Sequence, residues 1–298
     1  MLLFHVMLPV ALLTGLGAWL GRRRPVDVRS LSTVSIYLFS PALVFDSLLR
    51  SSSLAAHAFP LVLTVVFHLL GLLLGGLAAA RFLKLGRPQT GAFLLPVVMY
   101  NAGNYGLPLN FLAFGEEGLR LALVVFVTMG TVGTLLGSLV AAWGADGEVR
   151  RALRSVLELP VVYAATAALL ALLLHWAPPE PIQRAVRLLA AGAIPLLLVT
   201  LGIQLVQPRT LRWSRPLGLA VLLRLVASPL LAAGLAHAVG LEGLVRRVAI
   251  LQAAMPSAVN AFLYASEFRC DPGFVAGTVV ATTLGSFATV TVLLALLT

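Results

Sequence analysis

Ten stretches of mostly apolar residues follow one another along the chain, parted by short polar loops. A bilayer core takes about 20 apolar residues per helix. The pattern predicts helices at about 3–21, 31–49, 58–80, 90–114, 119–142, 156–176, 183–206, 214–239, 246–268 and 273–297. Two of these segments are interrupted. The fourth carries Tyr100-Asn101-Ala102-Gly103-Asn104-Tyr105-Gly106-Leu107-Pro108-Leu109-Asn110, with Pro96 just before it. The ninth carries Gln252-Ala253-Ala254-Met255-Pro256-Ser257-Ala258-Val259-Asn260. Proline removes a backbone donor and clashes with the preceding turn. In hydrocarbon, freed backbone groups are tolerated only where protein or a water-lined cavity satisfies them. Both stretches therefore read as parts of a site, and paired interruptions in the two halves of a chain point to a transporter's binding site.

The two halves also repeat. Leu8-Pro9-Val10 and Leu159-Pro160-Val161 lie 151 residues apart, Pro41 and Pro195 154, Pro60 and Pro216 156. Arg87 with Pro96 and Arg247 with Pro256 lie 160 apart, Gly118 and Gly273 155. Prolines are common in membrane helices, so one match carries nothing. Five in order point to a duplicated five-helix unit over 1–143 and 156–298. An odd number of helices per unit gives the copies opposite orientations, an inverted-topology repeat. His68 lies eight residues after Pro60 and Arg224 eight after Pro216. An Arg at such depth costs about 2.5–3.5 kcal/mol on insertion scales. One reading turns both into the bundle interior, where they tune the site or a moving interface. The plainer reading has Arg224 snorkelling to the cytoplasmic face and His68 as a hydrogen-bonded packing residue.

Composition agrees with the pattern. The 298 residues are 60% hydrophobic and 11% charged, with a mean hydropathy of +1.00, so almost nothing remains for a soluble domain. The net charge of +10 would suggest nucleic acid in a soluble protein. Here the Lys and Arg residues lie between apolar spans, where they act as topology signals facing anionic lipid. Fourteen fall in alternate loops: Arg22, Arg23, Arg24, Arg29, Arg81, Lys84, Arg87, Arg150, Arg151, Arg154, Arg209, Arg212, Arg215 and Arg269. Six fall in the others: Arg50, Arg120, Arg184, Arg187, Arg246 and Arg247. The positive-inside rule then puts both termini on the non-cytoplasmic side of a cell membrane, read as a bacterial inner membrane. The single Cys270 excludes an internal disulfide and a cysteine metal cluster. Met1–Leu20 reads as a retained first helix rather than a cleaved signal peptide.

The motif Asn101–Leu109, the run Leu201-Gly202-Ile203-Gln204-Leu205, and Met255-Pro256-Ser257-Ala258-Val259-Asn260-Ala261-Phe262 resemble the auxin efflux carrier family. That family includes bacterial permeases for malonate- and malate-like acids and the plant auxin exporters, and is similar in fold to bile acid:sodium symporters. The resemblance implies an all-α membrane protein of ten helices in two inverted repeats, with broken helices 4 and 9 crossing near the membrane centre. It implies a scaffold of helices 3, 4, 5, 8, 9 and 10 against a second domain of helices 1, 2, 6 and 7. The long cytoplasmic loop of many plant members is absent between the fifth and sixth segments.

At such a crossing, helix N-termini offer N–H groups and partial positive charge to a carboxylate. Amide side chains add donors and acceptors without net charge. Asn101, Asn104 and Asn260 are the leading candidates to bind substrate or cap the broken helices, with Tyr105 and Ser257 behind them. Gly103, Gly106, Pro108 and Pro256 would shape the breaks, and Gln252 would bond the ninth segment to the fourth. Every acid lies near a span's end, among them Asp46, Glu116, Glu117, Glu158 and Glu267. Asp46 is the candidate proton or cation group, against the plainer reading of an interfacial charge beside Arg50. These features predict a secondary transporter of a small organic anion, with membrane lipid around it, no cofactor and no nucleic-acid partner. Sodium or proton coupling and a homodimer stay open. A sodium-coupled symporter of bile-acid type is the near rival, and a transport-inactive sensor a further one. An enzyme is not expected: no His-x-x-x-His, His-Glu or buried acid pair occurs.

Overall fold

The computed structural model describes residues 2–50, 54–144, 154, 157–207, 211–268 and 270–297. Arg150, Arg151, Arg209 and Arg269, counted in the loop charges, lie outside them. Apart from one isolated β-bridge, the regular structure of the described residues is helical. The main helices are α1 (Leu2–Arg23), α2 (Val28–Leu49), α3 (Leu54–Phe82), α4 (Arg87–Val98), α5 (Ala102–Gly144) and α6 (Pro160–Leu173). They continue with α7 (Glu180–Leu205), α8 (Arg215–Ala238), α9 (Gly243–Ala253), α10 (Val259–Glu267) and α11 (Pro272–Leu297). Among the described residues, seven helices are long and apolar enough to cross a membrane, and α6 is apolar but shorter. Exposed Phe4, Leu8, Leu12, Leu16 and Trp19 run down one face of α1, an apolar stripe suited to a membrane. This is the fold of a polytopic membrane protein.

The fourth segment is interrupted more completely than a kink. Helix α4 stops at Val98, Met99 is extended, and a new helix starts at Ala102. That helix is a bent pair of arms, because Gly115 adopts φ +68, open to glycine and costly for other residues. The arms cover residues 102–114 and 116–144. In the same way α9 ends at Ala253 and α10 begins at Val259, after an extended Ala258. Both α4 and α9 are sheathed by other helices: Thr90 to Val98 and Val248 to Ala253 are buried without interruption.

Four π turns punctuate the helices, at Ser35–Phe39, Ala102–Gly106, Met129–Gly133 and Leu223–Ala227. Three end two residues before a proline: Pro41, Pro108 and Pro229. A proline ring collides with the carbonyl four residues back, and a widened turn relieves that contact. At the N-terminus of α2, Asp27 caps the helix. The Ser30 hydroxyl and the Arg29 N–H hold its carboxyl below the usual carboxylate range.

Helix α1 packs along α7 with backbones nearly touching. A Cβ on Gly17 would overlap the Val199 carbonyl, and one on Gly202 the Thr14 carbonyl. Small residues at such contacts are what let membrane helices approach closely.

Candidate functional site

The two breaks meet. Tyr100 and Ser257 form an antiparallel bridge. The Asn101 N–H donates to the Pro256 carbonyl at 2.8 Å, and the Ala258 N–H donates to the Met99 carbonyl at 2.8 Å. The Ser257 hydroxyl donates to the Pro96 carbonyl at 2.7 Å, and its N–H donates to the Thr282 hydroxyl at 3.2 Å. Each break thus supplies the partners that the other's freed peptide groups require.

The carbonyl ends of the broken helices are gathered by Arg224. Its Nη1 donates to the Val97 carbonyl at 2.9 Å, and its Nη2 donates to the Ala253 carbonyl and to the Ser228 hydroxyl. Ser228 in turn donates to the Ala253 carbonyl at 2.7 Å. His68 Nε2 lies 2.9 Å from the Ser228 oxygen, within hydrogen-bond distance. Arg224 does not snorkel. Its exposure is 0%, and its guanidinium stacks over the Tyr100 ring at 4.9 Å. Length alone would let an Arg reach the surface. Here three carbonyl and hydroxyl acceptors hold it in the interior.

A cavity of about 110 Å³ adjoins the bridge, and its lining does not include Arg224, Ser228 or His68. The N-terminal residues of α5 (Ala102, Gly103, Asn104) and of α10 (Val259, Asn260) line it, together with Asn101. Helix α2 contributes Ser35 and Ser40 beside its π turn, α7 contributes Gln204, and the second arm of α5 contributes Met129 and Gly130 at another π turn. Asn101 is 8% exposed, and Asn260 is exposed. The Asn104 amide donates to Gln204 Oε1 at 3.5 Å, a contact between α5 and α7. No carboxylate lines the cavity among the described residues. What it offers is neutral amides, hydroxyls and two helix N-termini, a surface suited to an anion.

The remaining sequence candidates fall elsewhere. Tyr105 is buried against Phe287, with ring centroids 6.0 Å apart, and Ser257 is spent on the crossing itself; neither lines the cavity. Gly103 faces the Phe126 ring, and Pro256 supplies the carbonyl that Asn101 bonds. Pro108 follows the π turn that opens α5. Gln252 Nε2 lies 3.5 Å from the Ala102 carbonyl and 3.4 Å from that of Ala122, so it ties α9 to both arms of α5. Its Oε1 fills the space where a Cβ on Gly106 would go. Asp46 pairs with Arg50 at 3.0 Å, away from the crossing, and Glu158 pairs with Arg154 at 2.8 Å. Glu116, Glu117 and Glu267 are exposed. Gln204, Ser35 and Ser40 were not among the candidates. Gln204 sits in a run that carried the family resemblance, and the two serines flank the Pro41 turn; those were their only signals.

The chain matches the model of the membrane transport protein family over residues 2–294. It is 32% identical over 265 residues to an uncharacterized transporter of Methanothermobacter thermautotrophicus, covering 87% of this chain and 85% of that one. It is 29% identical over 284 residues to a candidate malonate transporter of Rhizobium meliloti, covering 90% and 86%. Auxin efflux carrier component 3 of Arabidopsis thaliana is 30% identical over 115 residues, 38% of this chain and 18% of the plant protein.

Proposed function

The chain belongs to the auxin efflux carrier family of membrane transport proteins, and from that premise we propose that it is a secondary carrier for a small carboxylate anion. The anion binds between the N-termini of α5 and α10, with Asn101, Asn104, Asn260 and Gln204 as its polar contacts. The observation that carries this reading is the single cavity onto which both broken helices turn their N–H ends. Its size favours a compact acid. About 110 Å³ is less than the roughly 150 Å³ of an apolar cavity that takes up benzene, and a malonate-like solute is smaller than indole acetate. The Rhizobium meliloti relative, named for malonate, supports the same class.

Transport proceeds by alternating access. The architecture we infer is ten membrane helices in two inverted repeats, 1–143 and 156–298, with both termini outside the cytoplasm. The crossing body, made of α3 to α5 and α8 to α11, moves against a body of α1, α2, α6 and α7, and the Asn104–Gln204 contact spans the two. Uniport driven by the membrane potential needs no ionisable group in the cavity. Strict dependence on a sodium gradient would instead favour the symporter rival.

The test is uptake of labelled malonate, malate and indole acetate into proteoliposomes. Saturable uptake of a small dicarboxylate, lowered about tenfold or more by Asn101→Ala, is expected. If no carboxylate is transported saturably, while Asn101→Ala and Asn260→Ala behave like wild type, the reading fails. Ligand-induced thermal stabilisation without flux would select the sensor.

A further inference from the structure

Arg224 is the bulkiest fully buried side chain of the described residues, and the anion cavity does not include it. Among the described residues no carboxylate lies within ion-pair distance of it. Its counter-charge is the peptide backbone. It bonds carbonyls from the last turn of α4 and the last residue of α9. A helix C-terminus carries about half a negative elementary charge and an N-terminus about half a positive one. Two C-termini together match one guanidinium.

The consequence concerns the cavity. At a crossing of two broken helices, four helix ends come close together. Without Arg224, the two carbonyl ends would offset the two N–H ends that face the cavity, and an anion there would meet little net field. With it, the carbonyl ends are compensated inside the protein and the N–H ends are not. Tyr100 places the charge within reach: its ring stacks on the guanidinium at 4.9 Å, and it also lines the cavity. Ser228 and His68 fix the guanidinium, since Ser228 accepts from Arg224, donates to the same Ala253 carbonyl and hydrogen-bonds His68.

We propose that Arg224 is the positioning and charge-setting residue of the crossing: it clamps the carbonyl ends of α4 and α9 together and cancels their charge, so that a bound anion meets only the N–H ends. Its preference for a dianion over a monoanion depends on that charge. This rests on the anion-carrier reading.

The test compares wild type with Arg224→Lys, Arg224→Gln and Arg224→Met in proteoliposomes, measuring KM and kcat for malonate and for its monoamide, a monoanion of the same size. Arg224→Lys should keep the wild-type ratio of the two KM values within about threefold, whereas the neutral variants should raise KM for malonate about tenfold more than for the monoamide. A merely structural role would weaken both solutes in proportion. Proportional loss, a wild-type malonate KM in Arg224→Met, or an Arg224→Lys that behaves like Arg224→Met would overturn the proposal. Arg224→Gln carries the comparison if Arg224→Met does not fold. Thermal unfolding of the same purified set in detergent decides the clamp independently of substrate, with wild type above Arg224→Lys and Arg224→Lys above the neutral pair. If wild type moves no carboxylate, the carrier reading has failed. Neutral variants as stable as wild type would sink the clamp itself.

Discussion

Tyr100 and Ser257 face each other in an antiparallel bridge, one from each half of the chain, at the point where two interrupted helices cross. A bridge of this kind is the smallest possible sheet. Its two main-chain bonds, and the Ser257 hydroxyl on the Pro96 carbonyl, satisfy peptide groups that lose their helical partners where the two helices stop. It also sets the register of four helix ends to within one residue.

Ser257→Ala should therefore destabilise the protein by about 1–3 kcal/mol, because the buried Pro96 carbonyl loses its donor and cannot turn to water. The loss would be read as a lower unfolding temperature in detergent. Because Ser257 does not line the cavity, the malonate KM of the surviving protein should change less than its stability does. A variant with wild-type stability would mean that another donor reaches Pro96.

Asn104 and Gln204 make the polar contact between α5 and α7 at the cavity, 3.5 Å apart, and Gln204 is 4% exposed. Asn104→Ala and Gln204→Ala should each raise the malonate KM, by about tenfold. Residues that act through one contact are not additive. The double variant should thus be little worse than the poorer single one. Full additivity would place the two residues in separate roles.

Much of this site was legible in the sequence, for a physical reason. Proline, glycine and asparagine inside a hydrophobic span have no cheap explanation in lipid, so Asn101, Asn104, Pro256 and Asn260 marked both breaks before any coordinates. What the sequence carries poorly is direction around a helix. The depth of Arg224 was plain from its eight-residue offset from Pro216, but whether its side chain points to the crossing or climbs to the headgroups depends on which carbonyls a neighbouring helix leaves unpaired. Those belong to Val97 and Ala253, 127 and 29 residues away in the chain. Gln204 was obscured for a related reason: one amide near the end of a span reads as an interfacial residue until α5 is placed beside it. Ser257 shows the converse. Its polarity drew attention as a ligand, whereas the Pro96 carbonyl claims its hydroxyl and the Thr282 hydroxyl its N–H.

Glycine tests the α1–α7 contact. Gly202→Ala pushes a methyl group into the Thr14 backbone, which has no rotamer with which to yield. Overpacking of this sort costs typically about 1–3 kcal/mol. Gly234, exposed on α8 with nothing within 4 Å of its missing Cβ, is the matched control. Gly234→Ala should leave stability unchanged or raise it by about 0.5–1 kcal/mol through helix propensity. The unfolding temperature should fall for Gly202→Ala and not for Gly234→Ala, and equal effects would mean that α1 and α7 do not pack this closely.

Asp46 decides whether a proton or cation is coupled through the one carboxylate the sequence offered for it. It sits four residues before Arg50 on α2 and bonds that guanidinium at 3.0 Å, with 22% of its side chain exposed. A pair so placed contributes about 0–1 kcal/mol. A cavity of about 680 Å³ lies beside it, lined also by Arg120 and Arg187, but no residue of the crossing bridge reaches that space. A coupling group has to feel whether substrate is bound, and Asp46 has neither a shared contact nor a shared cavity with Asn101. Asp46→Asn should therefore leave malonate uptake, and its response to a pH gradient, within about twofold of wild type, a change of less than roughly 0.4 kcal/mol. If the variant instead abolishes stimulation by a pH or sodium gradient while binding malonate normally, Asp46 is the coupling group and the potential-driven uniport is wrong.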